Sequence, residues 1–200
     1  MRLPQVSIQP ATIDWTGLSR RFMNPNELET LVTLLRSVDD LRCMIEFGVN
    51  EGRTAKAILR EIPGIQSYVG VDVAAGYIPS KVVQRNEVPA QPGHLAASDK
   101  RFSLIVRPRG SLDLTAEDLP AADAVFIDGD HGREAVMYDT ALALAIVRPG
   151  GIVLWHDYHD LRGRDGVPLV DVGAVLDELH ADGLSLSHVE NTWLAFHKVT

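Results

Sequence analysis

Apolar positions along the chain repeat with two periods, and the periods alternate. Leu28, Leu31, Leu35 and Val38 share one face of a helix starting near Pro25, with Asn24 or Asn26 placed to cap it. A short apolar strand, 44–47, breaks at Gly48. Ala55, Ile58, Leu59 and Ile62 then mark an amphipathic helix stopped at Pro63-Gly64. Tyr68–Val73 forms a second strand ending at Asp72, Ser103–Arg107 a third, and Ala124–Asp128 a fourth that is apolar up to its terminal carboxylate. Tyr138, Ala141, Leu142, Ala145 and Ile146 predict the next helix, and Pro149-Gly150-Gly151 turns the chain into strand 152–155. Val172, Val175, Leu176 and Leu179 predict a last helix closed by Gly183, followed by strands near 185–189 and 192–198. Residues 74–100 are broken by Pro79, Pro89, Pro92 and Gly93, with a short helix expected around Ile78–Arg85.

Strands that are apolar on both faces and alternate with helices belong to a parallel sheet covered on both sides. The last two strands are joined too closely for a crossover and should pair antiparallel. The expected fold is therefore α/β, a Rossmann-like doubly wound sheet, mostly parallel with an antiparallel C-terminal strand. Residues 1–25 form an N-terminal extension without clear periodicity, and 26–200 form one domain.

Composition narrows the function more than the fold. Two hundred residues with a net charge of −8 do not favour a surface built to grip nucleic acid. No apolar run is long enough to span a bilayer and none resembles a signal peptide, so a cytoplasmic protein without a membrane partner is expected. The single Cys43 lies in an apolar run and reads as a core thiol. A homo-oligomer is compatible with the sequence.

The candidate chemistry gathers at strand ends. Glu46, Asp72, Asp128 and Asp157 end, or directly follow, four of the five predicted parallel strands. Like charges at one sheet edge repel, so folding alone gives no reason for them. In open α/β sheets this edge is where ligands bind. The run Glu46-Phe-Gly48-Val49-Asn50-Glu51-Gly52 spaces its glycines as G-x-x-x-G. It lacks the middle glycine that admits a dinucleotide pyrophosphate, which disfavours a nicotinamide-dependent oxidoreductase. Asp72 is placed to accept hydrogen bonds from ribose hydroxyls, and His131 has the pKa of a general base.

The first run resembles the opening motif of class I S-adenosylmethionine-dependent methyltransferases. The longer stretch Phe126-Ile-Asp-Gly-Asp-His131, followed by Pro149-Gly-Gly151 and His156-Asp-Tyr158, resembles a small bacterial O-methyltransferase-like family. The resemblance implies S-adenosyl-L-methionine held by Glu46, Gly48, Val49, Asn50, Gly52 and Thr54. Asp72 and Val73 would lie at the ribose, with Ser111, Asp128 and Gly129 beside the adenine and sulfonium. It implies catalytic roles for His131, Asp157 and His156, and a divalent ion, Mg²⁺ or Mn²⁺, on Asp128, Asp157 and His156. The acceptor would be a small hydroxylated metabolite or sugar. A non-catalytic binding module of the same fold is the alternative. One departure stands out: Gly110 replaces the acid that this family usually places near the adenine amine, with Asp113 a displaced substitute.

Overall fold

The computed structural model describes residues 1–19, 24, 26–81 and 88–200. In chain order the elements are β1 (Gln5–Val6), α1 (Glu27–Arg36), β2 (Cys43–Phe47), α2 (Arg53–Glu61), β3 (Ser67–Val73), β4 (Phe102–Arg107), β5 (Ala122–Ile127), α3 (Arg133–Ile146), β6 (Val147–Trp155), α4 (Val172–Ala181), β7 (Ser187–Val189) and β8 (Ala195–Lys198). Two 3₁₀ turns, Gly110–Asp113 and Ala116–Asp118, stand between β4 and β5.

The strands make one sheet ordered β1-β7-β8-β6-β5-β2-β3-β4. Strands β2 to β6 are parallel, and β8 runs antiparallel to both β6 and β7. The chain winds outward from β2 through β3 to β4, then returns to the middle and winds the other way through β5 and β6. The switch point is therefore the gap between β2 and β5, and a crevice opens there at the strand C-termini. Hydrogen bonds continue past the strand ends and hold this edge together: Gly48 N to Val71 O at 2.9 Å, Asp128 N to Phe47 O at 2.8 Å, and His156 N to Ile127 O at 3.0 Å. Two apolar layers flank the sheet, one under α1 and α2, the other under α3 and α4.

Several local expectations need correction. Asn26 makes no side-chain cap to α1 and sits in the left-handed region at φ 69°. The contact runs the other way, with Asn24 donating its backbone N–H and its amide to the Glu27 carboxylate. On α3, Leu142 and Ile146 are buried as expected, but Tyr138, Ala141 and Ala145 face outward. Asp139 and Thr140 take the inner positions, and Thr140 accepts a 2.9 Å bond from the Trp155 indole. Counting only apolar residues therefore rotated the predicted face. Residues 78–81 are not helical, and 82–85 of that expected helix lie outside the described residues. The N-terminal residues reach the sheet, where Gln5–Val6 pairs with β7. Trp193 lies in the turn before β8 rather than in a strand.

Candidate active site

Gly48 sets the floor of the crevice. Its φ is +86°, and a β-carbon there would stand 2.1 Å from the Asp128 carbonyl oxygen. The turn after β2 thus presses directly against the turn after β5, which only glycine permits. Asn50, two residues on, donates its backbone N–H to Asp72 Oδ2 at 2.6 Å, and Val73 N–H reaches Asp72 Oδ1 at 2.7 Å. Each carboxylate oxygen keeps a lone pair for a ligand. Burial pushes the Asp72 carboxyl up to about 6, against the pull of those two backbone donors.

A cavity of about 320 Å³ lies over these residues. Among the sequence-predicted cofactor positions, Gly48, Asn50, Asp72, Val73, Ser111 and Gly129 line one side of it. Four others do not. Glu46 is buried beneath, accepting a 2.8 Å bond from the Tyr68 hydroxyl, and burial holds its carboxyl well above the usual range. Val49 packs in the core layer under α2, Gly52 caps α2 against the Gly93 backbone, and Thr54 lies inside the first turn of α2. Their contribution is to shape the turn. Asp113 is not the displaced acid either, because it accepts from Arg109 N and pairs with the Arg109 guanidinium.

The other side of the cavity carries charge. Asp128, His131 and Asp157 bring one ligand atom each within 4.8 Å of one another. His131 Nε2 is 2.9 Å from Asp157 Oδ2 and 3.9 Å from Asp128 Oδ1, yet it is buried and makes no hydrogen bond to either. Burial lowers the His131 pKa, but the two carboxylates outweigh it and hold the imidazole at about 10. The ligand-free chain therefore carries His131 protonated at neutral pH. It accepts a proton only where something else neutralises Asp128 and Asp157. Asp157 takes a left-handed conformation, φ 58°, rare for a non-glycine residue. Burial opposes its ionisation, but His156 and His131 more than reverse that and hold it well below the usual range.

His156, expected to ligate an ion with Asp128 and Asp157, stands beside both carboxylates but outside the Asp128, His131 and Asp157 group. Nδ1 stands 3.3 Å from both Asp128 Oδ1 and Asp157 Oδ1. Its Nε2 is 3.1 Å from Glu27 Oε2, and Glu27 also accepts from Trp193 N at 2.7 Å. Glu27 is the site residue that sequence reasoning missed. A lone acid at a helix start carries no signal of a partner 129 positions away. Trp193 lines the cavity and packs on His159 at 4.3 Å between centroids.

Asp130, two residues from Asp128, has a different task. It accepts from Tyr77 Oη, Ser80 N, Ser80 Oγ and Gly132 N at 2.7–2.9 Å, tying the 77–80 segment across the cavity. Tyr158 is likewise committed elsewhere, donating to Asp177 on α4 and accepting from Leu3 N.

The fold recurs in known proteins. The chain has the fold of the cofactor-bound protein Rv0187 from MTB, at 18% identity with a TM-score of 0.60, covering 92% of this chain and 84% of that one. It is similar to the O-methyltransferase TomG of Streptomyces achromogenes in complex with SAM, at 18% identity and TM-score 0.55, covering 85% and 78%. It is also similar to the SAH-bound methyltransferase PaMTH1 of Podospora anserina, at 13% identity and TM-score 0.61, covering 89% and 80%. No curated protein matches the sequence. Residues 45–158, more than half of the chain, match a family described as "Methyltransferase domain". That span runs from β2 to Tyr158 and includes the glycine turn, Asp72, Asp128, His131 and Asp157, so the chain that builds this crevice belongs to the methyltransferase-domain family, with the class I S-adenosylmethionine-dependent fold.

Proposed function

We propose that the chain transfers the methyl group of S-adenosylmethionine to a hydroxyl of a small metabolite, with a divalent ion assisting. The observation that carries this reading is the pairing, in one cavity, of a ribose-ready Asp72 with the Asp128, His131 and Asp157 cluster. The donor set suits a cation: one ligand atom from each of two carboxylates and a buried imidazole lies within 4.8 Å of the others. The nitrogen in the set favours Mn²⁺ over Mg²⁺. Such an ion would act as a Lewis acid on the acceptor hydroxyl.

The chain's own residues do the rest. The Gly48 turn takes the methionine portion of the cofactor, and Asp72 accepts from its ribose hydroxyls. Asp128 and Asp157 orient the acceptor so that its oxygen faces the methyl carbon, where alignment itself supplies much of the acceleration. The oxygen–carbon bond forms as the carbon–sulfur bond breaks, its electron pair staying on sulfur, so the sulfonium becomes a neutral thioether. With His131 Nε2 given to the ion, the acceptor's proton leaves the polarised hydroxyl to solvent.

The test is calorimetric titration with S-adenosylhomocysteine, then a methyl-transfer screen across hydroxylated metabolites, sugars and catechols. Binding with transfer to at least one hydroxyl is expected. Binding with no transfer to any acceptor would make the chain a binding module, and absence of binding would overturn the cofactor assignment.

A further inference from the structure

Among the described residues, Asp139 is the acid with both carboxylate oxygens buried and neither matched by a hydrogen-bond donor. It lies on the inner face of α3, 1% exposed, beside Ala135, Leu142 and Ala143. A carboxylate in such a place opposes folding, and any apolar residue would serve the helix better. Burial pushes its carboxyl up to about 7, with the Ser111 hydroxyl close enough to offset this in part but not aligned to bond.

In front of Asp139 is the cavity wall. Ser111 and Gly129 both line the cavity, and a β-carbon on Gly129 would stand 3.4 Å from Asp139 Oδ2. Glycine there puts no side chain of its own between Asp139 Oδ2 and the cavity. The strand ends run β4, β3, β2, β5, β6 across the edge, so the turn after β4 with Ser111 lies on the side away from Asp157. Val73, Leu112 and Ala135 add apolar lining suited to the faces of a planar base.

We infer that Asp139 is the acceptor for the exocyclic amine of the cofactor's adenine, reached between Ser111 and Gly129. This rests on the reading of the cavity as an S-adenosylmethionine site. The bound amine replaces an unpaired burial with a charge-assisted hydrogen bond. A base with a carbonyl at that position sets two acceptors against each other. Asp139 thereby takes over the task left vacant by Gly110, from a helix rather than from the turn after β4.

The experiment compares S-adenosylhomocysteine with S-inosylhomocysteine by calorimetry at pH 8 in the wild type, Asp139→Leu and Asp139→Asn. The wild type should prefer the adenosyl compound by ten- to hundredfold. Asp139→Leu should lose ten- to hundredfold for that compound alone. Asp139→Asn, which can both donate and accept, should bring the two affinities close together. Thermal melting of the ligand-free variants should be unchanged or raised, which a structural role would not allow. Equal losses for both nucleosides, unchanged adenosyl affinity in both variants, or a wild type that binds both compounds equally would overturn the assignment of Asp139 alone. A wild type that binds neither compound overturns the cofactor reading and this inference with it.

Discussion

Glu27 and His156 meet at 3.1 Å between Oε2 and Nε2, both buried, although one begins α1 and the other follows β6. Glu27 also binds Asn24 and Trp193, so one carboxylate joins the N-terminal helix, the end of the central sheet and the turn before β8. Its ionisation is opposed by burial but favoured by His156 and Asn24, which together hold it below the usual carboxylate range. Glu27→Ala takes the acceptor away from His156 Nε2 and from the backbone N–H groups of Asn24 and Trp193. The variant should lose about 3–5 kcal/mol in urea unfolding. A double-mutant cycle with His156→Ala should return a coupling energy of about 1–3 kcal/mol. A coupling near zero would show that the two residues act independently.

Gly48→Ala should be far more damaging than its size suggests. Its φ of +86° strains any side chain by about 1–2 kcal/mol, and the collision with the Asp128 carbonyl adds to this. Gly76→Ala provides the control, since φ is +93° but nothing lies within 4 Å of the added carbon. Urea unfolding should show Gly76→Ala losing only the strain, and Gly48→Ala losing clearly more along with its affinity for S-adenosylhomocysteine.

Asp72→Ala removes the carboxylate that holds Asn50 and Val73 and faces the cavity. Affinity for S-adenosylhomocysteine should fall by about 1–3 kcal/mol, the range for hydrogen bonds to a charged group. Calorimetry on the folded variant checks this, and an unchanged affinity would remove Asp72 from the ligand.

Much of this architecture is legible in the sequence because its signals are local. Buried parallel strands are continuous apolar runs, and each ends where a glycine or carboxylate interrupts it, as at Gly48, Asp72 and Asp128. What stays hidden is set by partners distant in the chain. Glu46 ends its strand as the others do, but its side chain points into the core toward Tyr68 rather than into the crevice. Asp123, in the same motif as Asp128, sits at the opposite end of β5, where it accepts from Arg42 N and Cys43 N and pairs with Arg148. The period of two tells which face a strand residue occupies. It does not tell which of two acids five positions apart meets a ligand. Glu27 and Asp139 read as surface helix residues for the same reason.

The pH dependence of stability follows from the raised carboxyls. Asp72 at about 6 and Asp139 at about 7 bind a proton in the folded state that the unfolded chain releases near 3.8. Glu46 is shifted the same way by burial. The folded state therefore holds more protons across this window, and stability falls as pH rises from about 4 through 7. His131 adds to the decline from about pH 6.5, where the unfolded imidazole releases its proton, up to about 10. Melting of the ligand-free protein between pH 4.5 and 8 should show the decline, and Asp139→Asn should flatten its upper half. A stability that rises over this range would show that the two carboxyls ionise normally.

The charged side of the cavity gives the last prediction. Should Asp128, His131 and Asp157 share a divalent ion, methyl transfer should stop with chelator and return with Mn²⁺ or Mg²⁺. Asp157→Asn should abolish transfer while keeping S-adenosylhomocysteine affinity, because Asp157 follows β6, away from the turns at Asp72 and Ser111. Asp128→Asn should weaken both, since its backbone packs on the Gly48 turn and its carboxylate faces His131. His131→Ala removes one of the three donors, so it should weaken the ion and slow transfer, with excess Mn²⁺ recovering part of the rate. Transfer that persists in chelator, with no metal in the protein, would remove the ion from the mechanism. In that chain His131 would remain an imidazolium held between two carboxylates, and only positioning of the acceptor would be left to drive the reaction.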